Sequence, residues 1–319
     1  MKEININLID GFKIGHAQDL TGGSGCTAIV CPCGAYAGAE VRGGAPATRE
    51  IALLDPVNMV EQIHCVMLSG GSAFGLAAAE GAMTYLEEQD IGFDTGAGRV
   101  PIVSSACLFD LVAGDSKCRP TAAMGYEAMK NAEKNQPSQG CVGAGTGATV
   151  GKLKGPGYAM KSGLGIYAVS VGALQMGAIV AVNALGDVFD LESGKALAGL
   201  LNEDKTAVVS TRQALYAMAA ESFNVFAGNT TIGCIITNAK LTKTQCAKVA
   251  AMTHNGYARV ICPVHTSADG DTVFVLSHGD VLAHIDVVGT LCAEVMAKAI
   301  NNAVLASHSC YGFKANCDL

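Results

Sequence analysis

A short turn, Gly228-Asn229, delivers two adjacent threonines, Thr230 and Thr231, to the start of the apolar run IGCIITNA. A threonine hydroxyl is a weak nucleophile unless a base lies beside it. A residue at the head of a chain carries such a base, its own α-amine, with a pKa of about 7.7–8.0. Thr230 acquires that amine if its hydroxyl attacks the Asn229 carbonyl, the peptide nitrogen leaves, and water opens the ester. Asn accepts unusual backbone angles better than most residues, so a strained bond after Asn229 would favour this N→O shift. The same residues also read as ordinary turn chemistry before a strand. Asn229-Thr230-Thr231 fits a glycosylation sequon too, which means little without a secretory signal.

Other residue groups invite and mostly lose a chemical reading. The segment SGGSAFGL opens a helical pattern whose free N–H groups suit a carboxylate, with Ser69, Gly70 and Ser72 as contacts; Ser72 as a plain helix cap is the simpler reading. In VRGGAPATRE, Arg42, Arg49 and Glu50 read as an ion pair under a site, or Arg42 as a substrate contact. Asp269-Gly270-Asp271 is a turn between strands on spacing alone. The run GAGTGATVGK misses both nucleotide-binding patterns: no acidic residue follows at the right distance, and Lys152 precedes Leu153. The seven histidines form no metal signature, and Cys31 and Cys33 lack a second cysteine pair, so no metal or cofactor is expected.

The elements that must hold these residues follow from pattern. Residues 26–44 read as strands parted by a turn near Pro32, and a helical pattern follows SGGS. Residues 120–134 form an amphipathic helix candidate. Strands are expected over 148–153, 166–171 and 178–183. Residues 162–186 carry no charge but hold glycines, Gln175 and Asn183, so two buried strands fit better than a membrane span. The polar stretch 189–226 reads as a surface insertion. Thereafter come a strand at 230–239, a helix at 242–260, a strand at 271–279 and a long helix over 281–306.

Thirty-nine glycines and no Trp suit closely packed sheets and helices. A net charge of −7 without a basic cluster excludes nucleic acid as a partner. Thirteen cysteines, an odd number mostly within apolar runs, read as free thiols of a reducing compartment. MKEININLIDGFKIGH shows no secretory segment, so the cytoplasm is expected, with no membrane partner.

Ten segments bear on one family: IGHAQDLTGGSGCTAIVCP, VRGGAPATRE, LDP, VMLSGGSAFGLAAAEG, VPIV, FDL, GAGTGATVGKLKG, VAVNALGDV, GNTTIGCIITNA and PVHTSADGDTVFVLS. In this order, from about Ile14 to Ser277, they resemble the DmpA-type aminopeptidase and β-aminopeptidase family, peptidase family S58. The resemblance implies an α/β (α+β) fold, a four-layer αββα sandwich shared with ornithine acetyltransferases. It implies one domain over 1–319, cut between Asn229 and Thr230 into chains 1–229 and 230–319 that stay associated, and a homo-oligomer of such pairs. By the same resemblance Thr230 is the nucleophile and Asn183 an oxyanion donor. Asp271 orients the Thr230 amine, and Asp269 lies beside the nucleophile at a position where DmpA carries serine. Gly151 stands where DmpA's oxyanion tyrosine would align. The expected activity is hydrolysis of a small peptide or amide; acyl transfer through the same nucleophile, or ligand binding without turnover, are the alternatives.

Overall fold

The structure is a computed structural model describing residues 1–220 and 228–319. Its principal strands are β1 (Lys13–Asp19), β2 (Ser24–Val41), β3 (Gln62–Ser69), β4 (Val103–Cys107), β5 (Leu164–Val171), β6 (Leu174–Asn183), β7 (Thr230–Ala239) and β8 (Thr272–Val281). Its long helices are α1 (Ala78–Glu88), α2 (Ala122–Ala132), α3 (Lys243–Val260) and α4 (Ile285–Leu305). The strands follow one hydrogen-bonded path, β5-β6-β7-β8-β2-β3-β4, with β1 on the free side of β2.

That path folds into two layers because β2 bends. Its first half pairs with β1 and β3, its second half with β8, and the register to β3 shifts between Val30 and Ala35. Pro32 cannot donate to a ladder and Gly34 adopts a φ of +83°. The sequence suggests two strands and a turn here; the chain instead bulges and continues as one strand from one sheet layer into the next.

Among the described residues, side chains alternate across each layer and define three main apolar cores. On β6 and β7, Ile179, Ala181, Ile232, Cys234 and Ile236 meet Ile29, Val66 and Leu68 between the sheets. Their neighbours Val180, Val182 and Ile235 face Val249, Tyr257 and Met296 of α3 and α4. On the far side Cys26, Ala28, Cys65 and Met67 pack under α1 and α2 against Ala82, Leu86 and Met129. Three cores separate four layers, the αββα sandwich that the resemblance implies. Glycine lets the helices sit directly on the sheets. A β-carbon on Gly38 would lie 2.2 Å from the Ala247 nitrogen, and one on Gly165 would lie 1.9 Å from the Ala299 carbonyl oxygen.

The uncharged stretch 162–186 is the β5–β6 hairpin, pairing Val171 with Leu174. Among the described residues no helix is long and apolar enough to cross a membrane. All thirteen cysteines are free. The expected insertion contains short paired strands, Leu200–Leu201 with Val208–Val209, and a helix, Thr211–Ala217; its end, residues 221–226, lies outside the described residues.

Candidate active site

Topology brings the chemical segments together. β7 runs antiparallel to β6, which sets Thr230 opposite Asn183 at the end of that strand. β7 runs parallel to β8, with Ile232 opposite Thr272, so the loop before β8 meets the residue before β7. Asn229 accordingly bridges to Asp269. Asn229, Thr230, Asn183, Asp269 and Asp271 form one buried cluster at the ends of three adjacent strands.

The Thr230 hydroxyl donates to the Asn229 carbonyl oxygen. That oxygen also accepts the Gly270 N–H at 3.0 Å. Gly270 allows this approach: a β-carbon there would lie 2.6 Å from Thr230 Oγ1. Asn229 does not adopt left-handed backbone. The Thr230 hydroxyl and the Asn229 carbonyl meet because the flanking strands fix both.

Asn183 is fully buried and uses both ends of its amide. Nδ2 donates to the Phe109 carbonyl at 2.9 Å and to the Gly228 carbonyl at 3.4 Å; Oδ1 accepts the Thr149 N–H at 3.0 Å. Beside it lies Lys152, which sequence reasoning set aside as a failed phosphate-loop lysine. Its Nζ donates to the Asn183 and Gly228 carbonyls, both at 2.8 Å. Burial lowers its pKa to about 7, although Asp269, Asp110 and Asp271 pull the other way. An amine whose pKa burial brings down to about 7 thus sits on the Gly228 carbonyl, one residue from the 229–230 bond. No composition or spacing signal marks a buried lysine; only the fold does. Gly151, where a tyrosine would align, has φ +73° and room for no side chain, since a β-carbon would lie 2.0 Å from the Gly199 carbonyl carbon.

The two acidic residues divide their contacts. Asp271 Oδ1 accepts the Thr231 N–H at 2.7 Å, one residue past the expected amine of Thr230. Its Oδ2 pairs with His265 Nδ1 at 2.8 Å and accepts the His265 N–H at 3.1 Å. His265 in turn meets the His254 ring edge-on with centroids 4.7 Å apart, and burial lowers His254 to about 4, leaving it neutral. Asp269 Oδ2 accepts the Thr266 N–H at 2.8 Å, and Oδ1 lies 3.4 Å from the Leu185 nitrogen. Burial, with Asp271 close by, raises Asp269 to about 6.

Ser69 is buried, and a β-carbon on Gly70 would strike Asp110 Oδ2 at 2.0 Å. Asp110 accepts from Ser24 Oγ and the Gly71 N–H, joining SGGS to the Phe109 carbonyl under Asn183. Ser72, at φ +55°, does not cap: the capping position belongs to Gly71 and carries no side-chain bond. Arg42 donates to the Ala251 carbonyl and pairs with Glu40, while Arg49 pairs with Glu80 rather than Glu50. What Arg42 gives the site is backbone: its N–H bonds the Asp271 carbonyl at 3.0 Å.

The sequence profile of peptidase family S58 matches residues 5–317. An uncharacterized aminopeptidase of Mycobacterium leprae is 37% identical, the alignment covering 99% of this chain and 94% of that protein. A 6-aminohexanoate-oligomer endohydrolase of Agromyces sp. is 29% identical over 92% of this chain and 84% of its own length. Among solved structures, a Burkholderia sp. beta-aminopeptidase superposes with a TM-score of 0.72 at 18% identity, over 97% of this chain and 90% of that one, a likeness of fold.

Proposed function

This chain belongs to peptidase family S58 and is a hydrolase, and from that premise we propose that it cuts itself before Thr230 and then cleaves small peptides or amides with Thr230 as an N-terminal nucleophile. The observation that carries this reading is the Thr230 hydroxyl on the Asn229 carbonyl, with the Gly270 N–H on the same oxygen.

In the first reaction Thr230 Oγ1 attacks the Asn229 carbonyl carbon and its proton passes to a nearby base. Lys152, near neutrality and bonded to the Gly228 carbonyl, suits that role. Negative charge gathers on the carbonyl oxygen, where the Gly270 N–H already points; such a donor contributes about 10²–10³ in rate. The C–N bond breaks, the nitrogen takes a proton, and water hydrolyses the ester to an Asn229 carboxylate and a free Thr230 amine. Asn229 and Thr230 are only 2% and 4% exposed, so releasing Asn229 also opens the hydroxyl to substrate.

In the second reaction the same hydroxyl attacks a substrate carbonyl and the Thr230 amine accepts its proton. Asn183 Nδ2 and the Gly270 N–H stabilise the tetrahedral oxygen, and the leaving amine carries the proton away. Water then releases the acyl group. Asp271 positions the head of β7 through the Thr231 N–H. The relatives' named activities have amide cleavage in common, and the substrate class proposed here follows them. Fragments 1–229 and 230–319 remain together because β7 and β8 of the smaller lie between β6 and β2 of the larger, and processed pairs assemble into a homo-oligomer.

Incubation with a small amino-acid amide, with and without an added amine acceptor, tests the reading. Free acid as the main product, and an acyl adduct trapped on the Thr230 fragment, are expected. Predominant transfer to the acceptor identifies an acyl transferase instead, and turnover by Thr230→Ala would overturn the role of Thr230.

A further inference from the structure

We propose that Cys141, His308 and Cys310 form a binding site for a thiophilic divalent ion, Zn2+ above all, which fastens the C-terminal tail to the segment that supports Asn183. One ligand atom from each residue lies within 4.8 Å of the others. The two sulfurs are 3.9 Å apart. Two thiolates on one tetrahedral zinc, each at about 2.3 Å, stand about 3.8 Å from one another. A disulfide would require about 2.05 Å. The spacing is that of two ligands of one ion.

Burial supports the same reading. Cys141 is buried, Cys310 half-buried and His308 exposed, so the group is closed toward the protein and open toward solvent. An ion has an entry path, and water can occupy the fourth position. The thiolate is the ligating form. The Cys310 thiol donates to the Cys141 sulfur, so the two sulfurs already face one another. On binding, two metal–sulfur bonds and one metal–nitrogen bond form, the protons of the two thiols leave to solvent, and no electron moves. The two thiolates cancel the charge of the ion, so Lys161 does not face a net positive centre.

The position gives such an ion a structural task. Lys161 Nζ donates to the Gly145 and Ala148 carbonyls, and the next residue, Thr149, holds the Asn183 amide. The tail lies over the same strip, its Lys314 carbonyl accepting the Lys161 N–H at 2.7 Å. An ion at Cys141 therefore ties the tail to the underside of the Asn183 support, two segments 169 residues apart in sequence that a cut before Thr230 places in different chains. The spacing escapes a sequence search because one ligand is so far from the other two.

Full-length protein, reduced, stripped with chelator and desalted, is titrated with Co2+ and then with Zn2+. The expected result is one Co2+ per chain with thiolate-to-metal charge-transfer absorption and tetrahedral visible bands, both abolished by Zn2+. Cys141→Ser and Cys310→Ser each remove the absorption, and Cys33→Ser, an exposed cysteine elsewhere, leaves it. His308→Ala alters an exposed side chain and leaves the circular dichroism unchanged, yet weakens binding by more than the roughly 10–100-fold typical of losing a partner that merely supports a ligand. No thiolate absorption, absorption that survives in Cys310→Ser, or full affinity in folded His308→Ala would each overturn the proposal. So would a Cys141–Cys310 disulfide that persists in the folded protein under mild reductant.

Discussion

Replacing Gly270 with alanine isolates the approach of the Thr230 hydroxyl to the bond it is proposed to cut. Gly270 does not use left-handed backbone, so alanine meets no conformational barrier. Its β-carbon would lie 2.6 Å from Thr230 Oγ1, and contacts below 3.0 Å are essentially never seen, so something must give by roughly 0.4 Å. The loop has little room to retreat. The Ala45 carbonyl oxygen would lie 2.9 Å from that carbon and Pro46 Cα 3.2 Å, and the Ala45 N–H is bonded to Asp269 at 2.8 Å. The displacement therefore falls on the hydroxyl, or on the Gly270 N–H at the Asn229 carbonyl. A misplacement of that size adds to the cost of a lost oxyanion donor, which alone is about 10²–10³-fold in rate. Self-cleavage should slow by about 10²–10³-fold, with a stability loss of about 1–3 kcal/mol from overpacking. The assay follows conversion of the 32.5 kDa chain into two fragments by mass spectrometry after synthesis, alongside urea unfolding. Wild-type conversion by a folded Gly270→Ala protein would refute the proposed attack geometry.

Four further outcomes are expected. Thr230→Ala should stay full length and inactive while unfolding near the wild-type midpoint, and Thr230→Ser should still be cut, as intact mass will report. The folded pKa of Lys152, about 7, lies below its ordinary 10.5, so the unfolded chain binds more protons between those values and this residue's contribution to stability rises with pH across that window; Lys152→Met should remove that slope in urea unfolding and also the rise of processing rate through neutral pH. Asn183→Ala should lower kcat by about 10²–10³-fold on pre-processed protein and, by orphaning the Thr149 N–H, lower stability by about 1–3 kcal/mol in urea unfolding. Asp271→Asn turns an amide hydrogen toward either Thr231 or His265 and should cost about 1–3 kcal/mol in thermal unfolding, with slower turnover because the head of β7 loosens.

What the sequence discloses and what it hides follows from range. The threonine pair ahead of an apolar strand, and the strand itself, are local patterns, and β7 begins at Thr230 as they suggest. Thr242 with Gln245 makes a capping box that starts α3 where the polar-to-apolar change implies. Alternation on β6 separates Ile179 and Ala181 from Val180 and Val182, but only the packed sheets reveal that both faces are buried. Pro32 and Gly34 look like a turn because punctuation in sequence records a lost hydrogen bond, not the direction the chain takes afterwards. Lys152 was hidden for a related reason: its depressed pKa arises from burial among carbonyls contributed by β6 and by the residue before Asn229. Gly270 reads as a turn glycine, while its N–H and its lack of a side chain both matter to a residue forty positions earlier. The resemblance gives Asp271 to the Thr230 amine; in the uncut chain its Oδ1 accepts the Thr231 N–H, which the parallel register of β7 and β8 sets beside it.

The most direct test of the account is the identity of the first residue of the smaller chain. Freshly folded protein, separated under denaturing conditions and sequenced from its amino end, should yield a fragment that begins Thr-Thr-Ile-Gly-Cys, with the remaining mass ending at Asn229. A protein that hydrolyses amides while its 229–230 bond stays whole, or that is cut at any other bond, contradicts it.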